Sequence, residues 1–329
     1  MSSKPRPRTT RPTAEVQLPP WRTDVLRCLA CGAPLVELQH DGLSCATNCG
    51  ACYPVVQGVP ILLNDAHSIF STADVIASMS AATQRSRVKA TLQRVFPDIG
   101  NNVHADANFR RFRELLLGRA ARPRVLIVGG RIPGAGIQAL TTHPSIDILC
   151  TDVAPGPETM LICDAHELPF ADGSFDGVVA QAVLEHVADP VRCVGEIHRV
   201  LKPNGVVYAE IPFMQQVHAG RYDFTRFTHM GLLRLFRHFD EISSGPTCGP
   251  GMALAWSYEF FLASLLGRRG RPVARALSRL TAFWLKHVDR LIIDGRASFD
   301  GASAYFILAS RSDNPRSERT ILQQYRGLG

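Results

Sequence analysis

Five of the nine cysteines lie between positions 28 and 52, as Cys28-x2-Cys31 and Cys45-x3-Cys49-x2-Cys52. Thiolates two residues apart sit on one tight turn, and two such turns complete a tetrahedral zinc shell. Gly32 and Gly50 follow Cys31 and Cys49, where such a turn needs backbone amides facing sulfur. Choosing the pairs that end before a glycine gives Cys28, Cys31, Cys45 and Cys49 as ligands, with Cys52 the fifth thiol for four places. A redox dithiol or free cysteines are the competing readings. Zinc is preferred because no helical pattern follows either pair. The segment has almost no apolar core, so bound zinc would supply its folding energy, on the order of 10–16 kcal/mol apparent.

Two further groups could do chemistry. Val125–Val128 runs into Gly129-Gly130 and then Gly134-Ala135-Gly136; glycines after a strand let backbone approach a ligand, with a helix N-terminus behind. Asp152 ends the next strand, where a carboxylate can accept both ribose hydroxyls of an adenosine; an ordinary turn acid is the alternative. In 212–239, PFMQQVHAGRYDFTRFTHMGLLRLFRHF, His218, Tyr222, Asp223 and Arg226 crowd one loop. They offer a base, a hydroxyl and a guanidinium suited to an anionic or sugar-like acceptor. Structural hydrogen bonding accounts for the same polar residues equally well, while Phe224, Phe227, Leu232 and Phe236 read as core.

The elements that must hold these groups alternate strand and helix from Arg124 onward, the mark of a doubly wound α/β sheet. Strands are expected at Val125–Val128, Ile146–Thr151, Gly177–Ala180, Val206–Ile211 and Ser303–Ala309, with a helix over 190–201. The 212–239 loop then leaves the Val206–Ile211 strand at its carboxyl end, where open α/β sheets bind ligands. Residues 66–120 read as a helical connector, with Phe109, Phe112, Leu115 and Leu116 at helical spacing and Gly118 as a stop. Two helices over 251–294 precede the last strand. The first is aromatic, and the second carries Arg268, Arg269, Arg271, Arg275 and Arg279. Core packing with a solvated face is one account of 252–279; peripheral membrane contact is the sharper one.

The formal charge of +7 is concentrated at the ends. Residues 1–27 hold six Lys and Arg against Glu15 and Asp24, and four Arg from Arg311 onward face Asp313 and Glu318. The body is near neutral, which disfavours a broad nucleic-acid surface. Residues 1–20 read as a disordered basic tail. No apolar stretch opens the chain as a secretory signal. Cys150, Cys163, Cys193 and Cys248 sit among apolar neighbours as reduced core thiols, which points to the cytoplasm.

Two stretches resemble known families. LRCLACGAPL…GLSCATNCGACYPVVQGVPILLND, residues 26–65, resembles the zinc ribbon of the small activator subunit of tRNA and protein methyltransferases, with the second pair one residue wider. CDAHELPFADGSFDGVVAQAVLEHVADPVRCVGEIHRVLKPNGVVYAEIPF, residues 163–213, resembles class I S-adenosylmethionine-dependent methyltransferases of the type 11 kind. That resemblance implies adenine binding at Asp164-Ala165, and a loop from Gln181 to His186 facing the sulfonium. It departs from the family at Ile127, where an acid is usual, in a longer glycine loop, and in a shortened second crossover. The 212–239 segment is more loosely similar to methyltransferases of bacterial surface-glycan pathways.

The expectation is a doubly wound, mostly parallel seven-stranded Rossmann-like sheet over 121–312, with a zinc ribbon over 21–65, a helical insertion near 251–294 and a tail over 313–329. Cofactor contacts fall to Gly129, Gly130, Gly134, Gly136, Asp152, Asp164, Ala165 and Gln181. Acceptor contacts fall to His186, His218, Tyr222, Asp223 and Arg226. The function expected is S-adenosylmethionine-dependent methylation, on oxygen or nitrogen, of a small molecule or glycan precursor. An RNA methyltransferase gripping its substrate with the ribbon, or a non-catalytic interaction protein, is the alternative.

Overall fold

Residues 18–38, 42–82 and 99–329 are described by a computed structural model. Of the expected basic tail, residues 1–17 lie outside them, as do residues 83–98 of the connector. After a short α1 (Arg22–Val25), β1 (Leu35–Leu38), β2 (Gly42–Cys45), β3 (Cys52–Val56) and β4 (Val59–Leu62) form an antiparallel meander. The connector carries α2 (Thr72–Ala82) and α3 (Ala105–Leu117). Then come β5 (Arg124–Val128), α4 (Gln138–Thr141), β6 (Asp147–Asp152), β7 (Leu161–Cys163), β8 (Phe175–Gln181), α5 (Pro190–Val200) and β9 (Leu201–Pro212). The chain ends with α6 (His229–Leu235), β10 (Phe239–Cys248), α7 (Pro250–Ala282), α8 (Leu285–Ile292), α9 (Ser298–Gly301), β11 (Ala304–Arg311) and α10 (Glu318–Leu322).

The strands form one sheet in the order β1-β2-β3-β4-β7-β6-β5-β8-β9-β11-β10. Strands β4 through β9 run parallel, and antiparallel pairs close both ends. The expected seven-stranded sheet is therefore corrected to a mixed one of eleven strands. The cause is β4: its apolar run Val59–Leu62 is fully buried and pairs Ile61 with Ile162 and Leu62 with Cys163. An exposed β7 edge would leave unpaired backbone groups, and the ribbon covers it. The ribbon also shares the main core. Leu26, Leu35, Leu43, Tyr53 and Val55 belong to the same buried cluster as Leu126, Val178 and Phe170.

Local signals explain the scaffold around the site. β5 buries Val125 to Val128 between layers, as a central parallel strand should. α5 starts at Asp189, whose side chain accepts from the Arg192 amide at 3.0 Å, with Pro190 in the first turn. Its buried face is Cys193, Val194, Ile197 and Val200. β10 is an edge strand that the sequence reading did not anticipate, since Ser243, Ser244, Gly245 and Pro246 interrupt its apolar pattern. An edge tolerates that proline because one side of the strand needs no ladder partner.

The insertion is a long helix broken at Gly267, which sits at φ +65°. Its N-terminus is closed by Asp289 of α8, whose carboxylate accepts from the Gly251 and Met252 amides at 2.7 and 2.8 Å. Leu254, Phe261, Leu265 and Val273 stay exposed on its surface. Among the described residues no helix is long and apolar enough to cross a membrane.

Candidate functional site

The four sulfurs expected to bind metal converge. Cys28, Cys31, Cys45 and Cys49 place their Sγ atoms within 4.8 Å of one another, with Cys28 to Cys49 at 3.6 Å and Cys31 to Cys45 at 3.3 Å. Zinc–sulfur bonds of about 2.3 Å put tetrahedral sulfurs about 3.8 Å apart, so the donor set fits that ion. Gly32 and Gly50 hold φ of +74° and +89°, the left-handed turns that the spacing called for. The Thr47 hydroxyl, 3.1 Å from Cys45, pulls that thiol down to about 6. Tyr53 braces the other side, its hydroxyl 3.4 Å from Cys28 Sγ and accepting from the Leu29 amide at 2.8 Å. Cys52 lies outside the cluster, at the exposed start of β3.

The glycine turn lies where β5 separates β6 from β8, the switch point of the sheet. Its glycines meet protein neighbours. A Cβ on Gly129, at φ +71°, would fall 2.3 Å from Val183, and one on Gly134 would fall 2.0 Å from Gln181 Oε1. At Gly136 it would meet the Ala105 backbone at 2.8 Å, and at Gly130 the Cys150 side chain at 3.3 Å. Gly136 thus serves the packing of α3, and Gly129 and Gly134 bring the turn against the residues that follow β8.

Asp152 stands at the end of β6, its carboxylate accepting from the Arg131 amide at 3.1 Å and the Ala154 amide at 3.0 Å. Burial pushes its pKa upward against those bonds. Each oxygen keeps a lone pair for a further donor. Asp164 is taken up internally, accepting from Ser68 Oγ at 2.5 Å, the His166 amide at 3.0 Å and His166 Nδ1 at 2.5 Å. The neighbouring Ala165 is buried. Gln181 donates to Ala135 O at 3.0 Å and Glu210 Oε2 at 2.9 Å, while its own Oε1 is buried without a partner. Glu210, inside the apolar run of β9, also accepts from Asn102 at 2.8 Å and from Tyr208. It ties connector, β8 and glycine turn together. That orphaned amide oxygen and the Asp152 carboxylate can each accept a hydrogen bond from a cationic or hydroxyl-bearing ligand.

Glu185 and His186, after β8, and His218, after β9, place one ligand atom each within 4.8 Å of one another. Glu185 is fully buried, and among the described residues neither of its carboxylate oxygens has a hydrogen-bond partner. Burial pushes its carboxyl up to about 8. His186 Nδ1 meets the Tyr222 carbonyl at 2.9 Å, and the two imidazole rings cross edge to face at 4.9 Å. Sequence reading missed Glu185, which stands out only through its lack of a partner in the fold. It also missed Phe70, which stacks on Tyr222 at 5.6 Å.

Elsewhere in the 212–239 loop the polar side chains pair with one another and with the backbone. Arg226 spends all five donors at home, on Asp223 and on the carbonyls of Gln215, Gln216 and Thr225. That pairing holds the Asp223 carboxyl far below its usual range. Asp223 and Arg226 therefore clamp the loop, and a substrate contact would first have to break the clamp. The Tyr222 hydroxyl receives only Arg221, at 2.9 Å. His186, after β8, and His218, in the loop, are partly open, their side chains 27% and 31% exposed.

Residues 136–209 match a family model described as a methyltransferase domain. The match includes Asp152, Asp164, Gln181 and His186, and stops short of the ribbon and of the 212–239 loop. The chain is 28% identical over 119 residues to the ubiquinone/menaquinone biosynthesis C-methyltransferase UbiE of Citrifermentans bemidjiense, covering 31% of this chain and 51% of that one. It is 33% identical over 125 residues to the demethylmenaquinone methyltransferase of Renibacterium salmoninarum, covering 34% and 53%. The chain thus spans about half the length of both relatives. Among solved structures, a 1,6-didemethyltoxoflavin-N1-methyltransferase of Burkholderia thailandensis is 14% identical at a TM-score of 0.38, over 85% of this chain and 99% of that one. The family match and the two curated relatives support an S-adenosylmethionine-dependent methyltransferase.

Proposed function

We propose that this chain transfers a methyl group from S-adenosylmethionine to a small-molecule or glycan-precursor acceptor, and that its ribbon holds one structural zinc ion. The observation that carries the reading is the convergence of Glu185 and His186, directly after β8, with His218 from the loop after β9. Bound at the switch point, S-adenosylmethionine supplies an electrophilic methyl on a sulfonium. Asp152 would accept from its ribose hydroxyls, and Gln181 would face its amino acid end. Holding donor and acceptor in line accounts for about 7–11 kcal/mol of the barrier without proton transfer. A base adds to this when the acceptor carries a hydroxyl or a protonated amine. The partly open imidazoles beside a buried carboxylate are the groups that would take that proton.

The named relatives favour a second acceptor class, a reduced quinone. Removing a phenolic proton raises electron density at the adjacent ring carbon, so the same base would serve carbon methylation. To separate the classes, methyl-labelled S-adenosylmethionine is incubated with the protein and glycan precursors, reduced quinones or total RNA. Label in the sugar or quinone fraction is the expected result, and label confined to RNA would refute the proposal.

Two predictions follow from this placement. Asp152→Ala removes a charged acceptor from two hydroxyls and should weaken S-adenosylmethionine binding by about ten- to a hundredfold, with the melting temperature of the rest of the chain little changed. Calorimetry on the folded variant decides it, and unaltered affinity would move the ribose elsewhere. A quinone or lipid-linked acceptor would also suit contact between 252–279 and an anionic membrane surface, since Phe261 and Leu265 are 60% and 67% exposed beside the arginine run. Flotation with anionic vesicles should lift the protein at low salt; sedimentation with anionic and neutral vesicles alike would remove that contact.

A further inference from the structure

Three ligand-type atoms converge in the 182–226 region with no hydrogen bond joining them. His186 Nδ1 faces the Tyr222 carbonyl at 2.9 Å, so in the neutral ring Nδ1 carries the hydrogen and Nε2 is a lone pair. His218 Nδ1 faces the Gln216 carbonyl at 3.4 Å and Asp223 Oδ2 at 3.5 Å, which fixes the same tautomer. Both Nε2 atoms then turn toward Glu185 Oε1, at 3.6 and 3.8 Å. Those separations are too long for hydrogen bonds. Among the described residues, neither carboxylate oxygen of Glu185 finds a donor. Two imidazole lone pairs and a fully buried, unpartnered carboxyl stay unsatisfied together, and a bound cation would satisfy all three at once.

We propose that Glu185, His186 and His218 form a binding site for a divalent first-row transition-metal ion, separate from the four-cysteine cluster. Two imidazole nitrogens and one carboxylate are a donor set for zinc, cobalt or iron(II) that leaves positions open for water or substrate. Ligand atoms about 2.0–2.2 Å from such an ion lie about 3.0–3.5 Å apart, so the two histidine–carboxylate separations of 3.6 and 3.8 Å need to close by a few tenths of an ångström. The outer groups already suit the task. Tyr222 O and Gln216 O orient the two rings, and Asp223, itself held by Arg226, backs His218 as a carboxylate backs a metal-bound histidine. Both imidazoles are partly exposed, so the open positions can reach solvent or substrate. There an ion would polarise an acceptor oxygen and ease loss of its proton. That role rests on the acceptor reading above, whereas the site itself does not.

The test is a metal count on the untagged full-length protein, loaded with zinc or cobalt and freed of excess. Two equivalents per chain are expected. Glu185→Gln and His218→Ala should each fall to one equivalent while keeping the wild-type melting temperature. Loaded with cobalt, the surviving equivalent should show the strong near-ultraviolet thiolate absorption, and the lost one only weak visible bands. Should Glu185→Gln fail to fold, His218→Ala carries the test, because its ring is largely at the surface. Wild-type protein that binds a single equivalent, with thiolate bands alone, overturns the site. So does retention of two equivalents in His218→Ala. Methyl transfer that proceeds undiminished in a metal count of one would overturn the ion and spare the acceptor reading.

Discussion

Chelation of bound metal, or the substitution Cys28→Ser, is expected to open residues 26–63 to protease while the sheet from β5 to β11 stays resistant. Four sulfurs within 4.8 Å make a closed thiolate shell, and a shell of this kind contributes on the order of 10–16 kcal/mol of apparent folding energy. Cys28 and Cys45 are buried at its base, so losing Cys28 removes both a ligand and part of the ribbon's packing. The ribbon does not depend on metal alone. Its Leu35, Leu43 and Val55 share the main core, and β4 pairs with β7, which offsets part of the loss. The signature is therefore local unfolding, with a lowered melting temperature for the whole chain as the β7 edge is uncovered. Cys52→Ser should keep its zinc. Metal analysis with limited proteolysis reads both outcomes, and a zinc-free Cys52→Ser alongside a zinc-replete Cys45→Ser would mean that the ligand set is wrong.

His218→Ala is expected to lower turnover at saturating acceptor by about a hundred- to ten-thousandfold while leaving S-adenosylmethionine affinity nearly intact. The ring is a third exposed and makes no bond that holds the cofactor side together. It lies instead beside Glu185 and His186, where an acceptor proton or an acceptor-bound ion would sit. Tyr222→Phe should cost far less, because the hydroxyl touches only Arg221 while the ring keeps its stacking on Phe70. Arg226→Ala is a control of another kind: it should lower the melting temperature, since the clamp on Asp223 and three carbonyls is lost. Full turnover in His218→Ala would move the acceptor to a different edge of the sheet.

Much of this site was readable before the fold. Cysteine spacing with a glycine after each pair selected the four sulfurs that converge, because tight knuckles impose a local requirement on few residues. The strand-to-helix alternation from Arg124 placed the glycine turn, Asp152 and Gln181 at one switch point for the same reason. What escaped was decided by distant partners. Val59–Leu62 is too short an apolar run to announce that it would cover β7. β10 hides behind Ser243 to Pro246, which an edge strand accepts. Asp164 and Arg226 have the residue types of binding groups, yet Ser68, His166 and Asp223 satisfy them, and no spacing rule reports that. Glu185 was the opposite case: its importance comes from what fails to pair with it, which only the folded chain reveals.

The most direct measurement of the central claim is a calorimetric titration of S-adenosylmethionine into the folded, metal-replete protein. Saturable binding of one molecule per chain is expected, with affinity in roughly the 1 μM to 1 mM range, competed by S-adenosylhomocysteine and weakened by Asp152→Ala. A protein that is folded and zinc-loaded, yet gives no binding heat and no competition, would contradict the account and leave a ribbon-bearing sheet without a methyl donor.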